Sequence, residues 1–293
     1  MTTVQDVPGR VGYWHVGVPP NGPMDDVSHR LVNAVLGNEV GAAALELTSA
    51  GPTIRFTASA VVAVGGAPMP ATVDGRRIPA WTAVEVGAGA VLRVGATQGP
   101  GLRAALGVRG GFDEPLFLGS RSTFTLGRYG GHGGRALEAG DVLAIGDDVA
   151  GPLGDLPPGM APILTDWWEL GVLVGPHTAP DFLTHDGLVE LAGSTWTVHH
   201  NSARSGVRLI GPRPRWARPD GGEAGLHPSN VHDTGYAIGA VDLTGDMPII
   251  LGPDGPSLGG FVCPLVVAAS ERWKLGQLRP GDRVRFVVLS ADA

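Results

Sequence analysis

Apolar positions along this chain mostly alternate with other residues in short runs, and a helical period is kept in few places. The best helical stretch lies near the start. Asp26 to Leu36 places Val27, Leu31, Ala34 and Val35 on one face, Asp25 or Asp26 can cap it, and Gly37 can stop it, so a helix is predicted over 26–37. Residues 181–191 suggest a second. Alternating runs predict strands at Thr53–Phe56, Ala60–Val64, Ala71–Val73, Ala83–Val86 and Val91–Val94, with Asp74-Gly75 as a hairpin turn. Later runs predict strands at Trp167–Leu173, Trp196–His200, Val207–Ile210, Ala237–Leu243, Pro248–Leu251 and Val284–Leu289. The expected fold class is mainly β with a few helices, built as closed or nearly closed β-barrels.

One pattern occurs twice. Leu137-Glu-Ala-Gly-Asp141-Val-Leu-Ala-Ile145 and Leu278-Arg-Pro-Gly-Asp282-Arg-Val-Arg-Phe286 share Leu, Gly, Asp and apolar positions, and each reads as a Gly-Asp turn entering a strand. Each copy closes one half of the chain, and a Gly/Pro-rich linker, 150–162, follows the first. Two related β-rich domains are therefore expected, 1–150 and 151–293.

Composition agrees with short strands joined by turns: 47 glycines and 25 prolines accompany only 17% charged residues. At 293 residues with 43% apolar content, the chain can bury a core without disulfides, and disorder is not expected. The single cysteine, Cys263, cannot form an internal disulfide, and the N-terminus shows no signal peptide, so a cytoplasmic location is expected. The longest apolar run, around Ala58 to Val64, is broken by Gly65-Gly66 and reads as a buried strand. A formal charge of −7 argues against a general nucleic-acid role.

Four segments pack glycine, proline and polar side chains between strands. Gly17-Val-Pro-Pro-Asn21-Gly-Pro-Met24-Asp25 brings Asn21, Met24 and Asp25 to a helix N-terminus, which suits a carboxylate or oxyanion or is simply a capped turn. His199-His200-Asn201-Ser202-Ala-Arg204-Ser205-Gly-Val-Arg208 offers Asn201 to an amide and Arg204 and Arg208 to a carboxylate; the other reading is a solvated turn with structural ion pairs. Asp220 to Asp233 contains His227, Asn230 and His232, but its spacing fits no standard zinc pattern and no metal is expected. Leu251-Gly-Pro-Asp254-Gly-Pro-Ser257-Leu-Gly259-Gly260-Phe261 holds a carboxylate in a glycine-rich loop after an apolar strand, where two N–H bonds from a urea-type group are a natural match. Cys263 sits among apolar residues and is a poor nucleophile candidate. No G-x-S-x-G elbow or Walker loop is present, and Gly130-Gly-His-Gly-Gly134 reads as a flexible loop.

Together these stretches resemble a known family. Thr2-Thr3-Val4-Gln5-Asp6, Gly9-Arg10, Gly12-Tyr13, Gly22-Pro23-Met24-Asp25 and Gly37-Asn38 are similar to the biotin-dependent carboxyltransferases, often labelled allophanate hydrolase subunit 2, which also include a 5-oxoprolinase component and an antagonist of a sporulation-kinase inhibitor. Asn201 to Leu209, Asp220 to Asn230 and Gly252 to Phe261 look like the urea carboxylase branch. The resemblance implies two cyclophilin-like β-barrel domains and transfer of a carboxyl group from carboxybiotin, carried on a partner domain, to urea or a similar small amide or guanidine. It also implies a small carboxyltransferase partner subunit of the allophanate hydrolase subunit 1 type, and biotin carboxylase and biotinyl carrier domains, none of which these residues contain. A further strand before Thr2 is expected from the family pattern.

From residue chemistry and motif position, Asp254 is assigned to the substrate N–H groups, with Ser257, Gly259 and Gly260 beside it. Asn201, Arg204 and Arg208 are assigned to its carbonyl or the transferred carboxyl group. His227 is the candidate proton carrier, and Asn21, Met24 and Asp25 line the biotin side. The alternatives are action on 5-oxoproline, or a non-catalytic regulatory role against a kinase inhibitor.

Overall fold

The computed structural model describes residues 1–147 and 151–289. The protein is mainly β, and its chain divides into two compact units: residues 1–12 with 20–164, and residues 13–19 with 165–293. The boundary expected at 150/151 falls beside residues 148–150, which lie outside the described residues.

The first unit contains β1 (Thr2–Gln5), β2 (Ala44–Thr48), β3 (Thr53–Arg55), β4 (Ala60–Gly66), β5 (Ala71–Val73), β6 (Arg76–Ile78), β7 (Val84–Val86), β8 (Val91–Val94) and β9 (Arg103–Val108). They form a five-stranded sheet, β1-β2-β9-β4-β7, and a four-stranded sheet, β3-β8-β5-β6. Leu45, Leu47, Val62, Val64 and Leu106 from the first sheet and Ala71, Leu92 and Val94 from the second bury one shared core. The closed or nearly closed barrel expected for this half takes the form of two sheets enclosing a core, without a continuous circuit of strand pairs among the described residues. Asp74 and Gly75 both have positive φ, as a two-residue hairpin turn between β5 and β6 requires.

The helix α1 (Asp26–Val35) forms as expected, with Asp25 Oδ1 accepting from Ser28 N at 2.9 Å as its cap. Its buried face differs from the expected one. Ser28, His29, Val32, Asn33 and Val35 are buried, while Ala34 is exposed. The reason is polar: His29 Nε2 and Asn33 Nδ2 both meet Ala42 O, at 2.8 and 2.9 Å, and satisfy a carbonyl of the loop after the helix. The 151–154 stretch packs on the end of α1, where Gly151 N donates to Gly37 O at 2.7 Å and Gly154 N to Val35 O at 2.9 Å.

The second unit contains β10 (Trp167–Val174), α2 (His185–Gly193), β11 (Trp196–Val198), β12 (Gly206–Ile210), β13 (Asn230–Gly235), β14 (Ala240–Thr244), β15 (Met247–Leu251), β16 (Leu258–Phe261), β17 (Leu265–Val267) and β18 (Arg283–Val288). Seven of these close a barrel in the order β10-β17-β14-β15-β12-β11-β18, and β13 and β16 pair separately. Val207, Leu209, Val241, Leu243 and Ile250 are buried within it, each at most 3% exposed.

The repeated motif survives as a turn and only once as a strand. In both copies the aspartate N–H donates back three residues, Asp141 to Glu138 O at 3.2 Å and Asp282 to Arg279 O at 3.0 Å. Both carboxylates then accept from the first residue of the turn, Glu138 N at 2.8 Å and Arg279 N at 2.9 Å. Gly140 and Gly281 take the positive φ that the turn needs. After the second turn β18 joins the barrel. After the first, 142–147 is not a strand and contributes a single bridge, Ile145 to Phe112. The 130–134 stretch, expected as a flexible loop, is packed: Gly131 N donates to Arg121 O at 3.0 Å, and His132 Nδ1 lies 2.9 Å from Glu114 Oε1.

Candidate functional site

Register sets the side chains of the second unit. Arg208 on β12 and Asp242 on β14 both pair with Ile249 on β15. The three therefore stand in one row, on the face opposite the buried Val207–Ile250–Val241 row. Tyr236, Ala240, Leu251 and Cys263 cluster on this outer face with Ile249 against them.

Asp242 is the least ordinary member. It is 4% exposed, and Thr244 Oγ1 donates to its Oδ1 at 2.9 Å. Burial pushes its carboxyl up to about 6, opposed by the Thr244 hydrogen bond and the Arg208 charge. It is nonetheless mostly ionised at neutral pH. Cys263 is buried, and burial with the Asp242 charge pushes its thiol up to about 12, which makes it inert.

Arg208 Nη1 donates to Asn201 O, and Arg208 N to Ser202 Oγ at 3.0 Å, which ties the 199–202 turn to β12. The Asn201 residue is exposed beside this row. Arg204 does something different. Its Nε and Nη2 donate to the two oxygens of Asp254, at 2.7 and 2.8 Å, and both side chains are buried. Asp254 N also donates to Arg204 O, and Gly252 N to Ser205 O, so the 201–205 and 252–255 loops are laced together.

Ser257, Gly259 and Gly260 follow in the same loop and β16. Ser257 is buried and its carbonyl accepts from Tyr236 N at 2.9 Å. Gly259 lies flat on the Tyr236 ring, where a Cβ would overlap the ring carbons. The Tyr236 hydroxyl accepts from Phe261 N at 2.8 Å and donates to Phe261 O at 3.1 Å.

His227 belongs to another cluster. Its Nδ1 accepts from Ser229 N at 3.1 Å, and its Nε2 lies 3.6 Å from Asp246 Oδ1. Ser229 Oγ is 2.9 Å from Nδ1, so the order Ser229–His227–Asp246 has the outline of a nucleophilic triad. Ser229 is fully buried and its Oγ also accepts from Gly245 N at 3.2 Å, so the chain of contacts holds loops together and exposes no nucleophile. Burial opposes ionisation of Asp246, but hydrogen bonds from Trp216 and Arg213 outweigh it and hold the carboxyl below its usual range.

In the first unit Asn21, Met24 and Asp25 are at most 4% exposed. Asn21 Oδ1 accepts from Arg10 Nη1, Met24 N donates to Glu46 Oε2 at 2.6 Å, and Asp25 caps α1. Their polar groups thus serve the loop itself. Among the described residues no three or more His, Cys, Asp or Glu side chains are grouped to hold a metal ion, and no helix is long and apolar enough to cross a membrane.

Sequence reasoning missed Asp242 and Tyr236. A signal for Asp242 existed: one carboxylate interrupts the apolar stretch Ala240-Val241-Asp242-Leu243. For Tyr236 none did, because its partners lie 21–25 residues on, across a strand pair.

Known proteins resemble nearly the whole of this chain. The family described as "Carboxyltransferase domain, subdomain A and B" matches residues 16–288. Urea amidolyase of Saccharomyces cerevisiae is 48% identical over 299 residues, which cover 100% of this chain and 16% of that protein. A 5-oxoprolinase component of Escherichia coli is 30% identical, with 99% of this chain and 89% of that one covered. The crystal structure of Kluyveromyces lactis urea carboxylase superposes with a TM-score of 0.94 at 48% identity, covering 99% of this chain and 26% of that one. The chain thus spans about a sixth of the yeast amidolyase.

Proposed function

The chain belongs to the carboxyltransferase domain family of subdomains A and B, and from that premise we propose that it is the carboxyltransferase part of a urea carboxylase-type system. The reaction moves a carboxyl group from carboxybiotin to a nitrogen of urea or a similar small amide or amidine. The observation that carries this reading is the Arg208–Ile249–Asp242 row with Asn201 exposed beside it.

Each residue has a part that follows from its chemistry. Asp242, ionised at neutral pH, accepts N–H bonds from the substrate and is placed to take a proton from the attacking nitrogen. Its proton affinity, with a value of about 6, suits that task better than an ordinary carboxylate would. Asp242 therefore takes the proton-carrier role expected of His227. Asn201 offers both a donor and an acceptor to the amide, and Arg208 offers a donor to the carbonyl or the transferred carboxylate. The Arg204–Asp254 pair braces the loop that carries Ser257, Gly259 and Gly260, so Asp254 serves the substrate by fixing this loop.

Carboxybiotin supplies the electrophilic carboxyl group when its carrier docks. Asn21 Oδ1, Met24 N and the Asp25 carboxylate are already bonded to Arg10, Glu46 and Ser28, so they make no polar cradle for the biotin ring system, and no step is routed through them. They are proposed to shape the loop on the carrier side. The small partner subunit, biotin carboxylase and biotinyl carrier domains supply the rest of the reaction.

Asp242 also favours a second substrate class. A buried carboxylate pairs better with an amidinium than with a neutral amide, so guanidine competes with urea. Substrate-dependent ATP hydrolysis tests both, in a mixture of this chain, its small partner and a biotinylated carboxylase. Urea, guanidine and 5-oxoproline are supplied in parallel. Stimulation by urea or guanidine that requires this chain and is lost in Asp242→Asn supports the proposal. Stimulation by 5-oxoproline alone moves the protein to the oxoprolinase reaction. Partner binding without stimulation by any substrate overturns catalysis and leaves the regulatory reading.

A further inference from the structure

Residues 13–19 fold with the second unit, although the residues before and after them belong to the first. They form a tight turn. Gly17 N donates to Trp14 O at 3.0 Å and Val18 N to Tyr13 O at 3.2 Å, and Gly17 has a φ of 80°, which glycine adopts without strain. The turn presents one side chain with a clear partner: Trp14 Nε1 donates to Tyr236 O at 2.9 Å.

Tyr236 is the post on which the glycine-rich segment of the proposed substrate site hangs. Its peptide N–H holds Ser257 O, its hydroxyl holds both the N–H and the carbonyl of Phe261, and its ring is the floor under Gly259. Burial pushes the phenol well above its ordinary range, so the hydroxyl remains a neutral donor at any working pH. Displacement of the Tyr236 backbone would therefore move both ends of 257–261 together.

We infer that Trp14 is a positioning residue for this site: by holding Tyr236 O it fixes the peptide between Tyr236 and Ala237, and so the backbone of Tyr236, whose N–H, ring and hydroxyl meet Ser257, Gly259 and Phe261. The inference rests on the proposed transfer to a small amide or amidine. It makes residues 13–19 a strap of the second unit.

The test uses Trp14→Phe, which keeps an aromatic ring and removes the N–H, in the assembled carboxylase mixture. KM for the stimulating substrate should rise about fivefold, the effect of one ordinary hydrogen bond, with kcat within about twofold. Substrate-independent carboxylation of biotin should not change. Amide hydrogen exchange at Phe261 should become faster in the same variant. Exchange at Phe261 like the wild type overturns the inference, as does faster exchange with unchanged KM. If the wild-type mixture shows no turnover, the proposed function fails, and the exchange result alone then decides whether the strap holds Tyr236. Gly17→Ala is the second variant should Trp14→Phe not fold. Its Cβ meets nothing within 4 Å, so it disturbs only the turn that presents Trp14, and it should shift KM and exchange in the same direction by less.

Discussion

Arg204 and Asp254 lie fifty residues apart in sequence and meet in a bidentate ion pair, Nε to Oδ2 at 2.7 Å and Nη2 to Oδ1 at 2.8 Å, with the side chains 5% and 3% exposed. Geometry of this kind uses the planar fork of arginine, which lysine cannot reproduce. Loss of either partner removes this bidentate bond from a buried charge. Asp254→Ala and Arg204→Met should each lower stability by about 3–5 kcal/mol, while Arg204→Met/Asp254→Leu together should cost much less than their sum. Chemical denaturation of the three variants measures the coupling. Additive losses would show that the pair does not act as a unit.

Asp242 makes stability depend on pH in a direction opposite to most carboxylates. Its folded value of about 6 lies above the ordinary 3.8, because burial disfavours the charged form. The folded protein therefore holds a proton that the unfolded chain has released between about pH 4 and 6, and stability falls as pH rises through that window. Asp242→Asn removes this dependence. Its stability relative to wild type should increase from pH 4 to pH 7 by up to about 3 kcal/mol, read from denaturation midpoints across the range. Equal pH slopes for the two proteins would rule out a raised carboxyl at this position.

His29 gives the reverse slope. Burial lowers its value below 6.5, against the hydrogen bond to Ala42 and the nearby Glu46 and Asp6 charges. The imidazole stays neutral in the fold while the unfolded chain takes up a proton, so its contribution is complete above about pH 6.5 and is lost as pH falls through the depressed folded value. His29→Gln, which keeps a donor for Ala42 O, should show a shallower loss of stability on acidification than wild type. Thermal melts between pH 7 and 5 compare the two.

Gly259 has no room for a side chain. A Cβ would enter the Tyr236 ring, so Gly259→Ala must push Tyr236 away or tilt β16. A loss of about 1–3 kcal/mol is expected, together with weaker near-UV dichroism from the displaced tyrosine. Gly87→Ala is the control, because nothing lies within 4 Å of its Cβ. A Gly259→Ala protein as stable as this control would mean that Tyr236 is not held against β16.

Local chemistry was legible in the chain by itself. The period-two runs located β5, β8, β12 and β15 closely, since strands are marked by contacts made every second residue. The Asp25 cap and Gly37 marked both ends of α1, and the Leu-x-x-Gly-Asp motif marked two equivalent turns, because capping and turn bonds close within four residues. The residue matches to the carboxyltransferase family were likewise visible in one sequence. Tertiary structure decided what local patterns do not encode. It chose which face of α1 is buried, because a carbonyl at Ala42 had to be satisfied. It made a strand after Asp282 and none after Asp141, because only the former meets barrel neighbours on both sides. It also joined Arg204 to Asp254 and set Asp242 in a row with Arg208, since strand register and burial bring together side chains that sequence spacing keeps far apart.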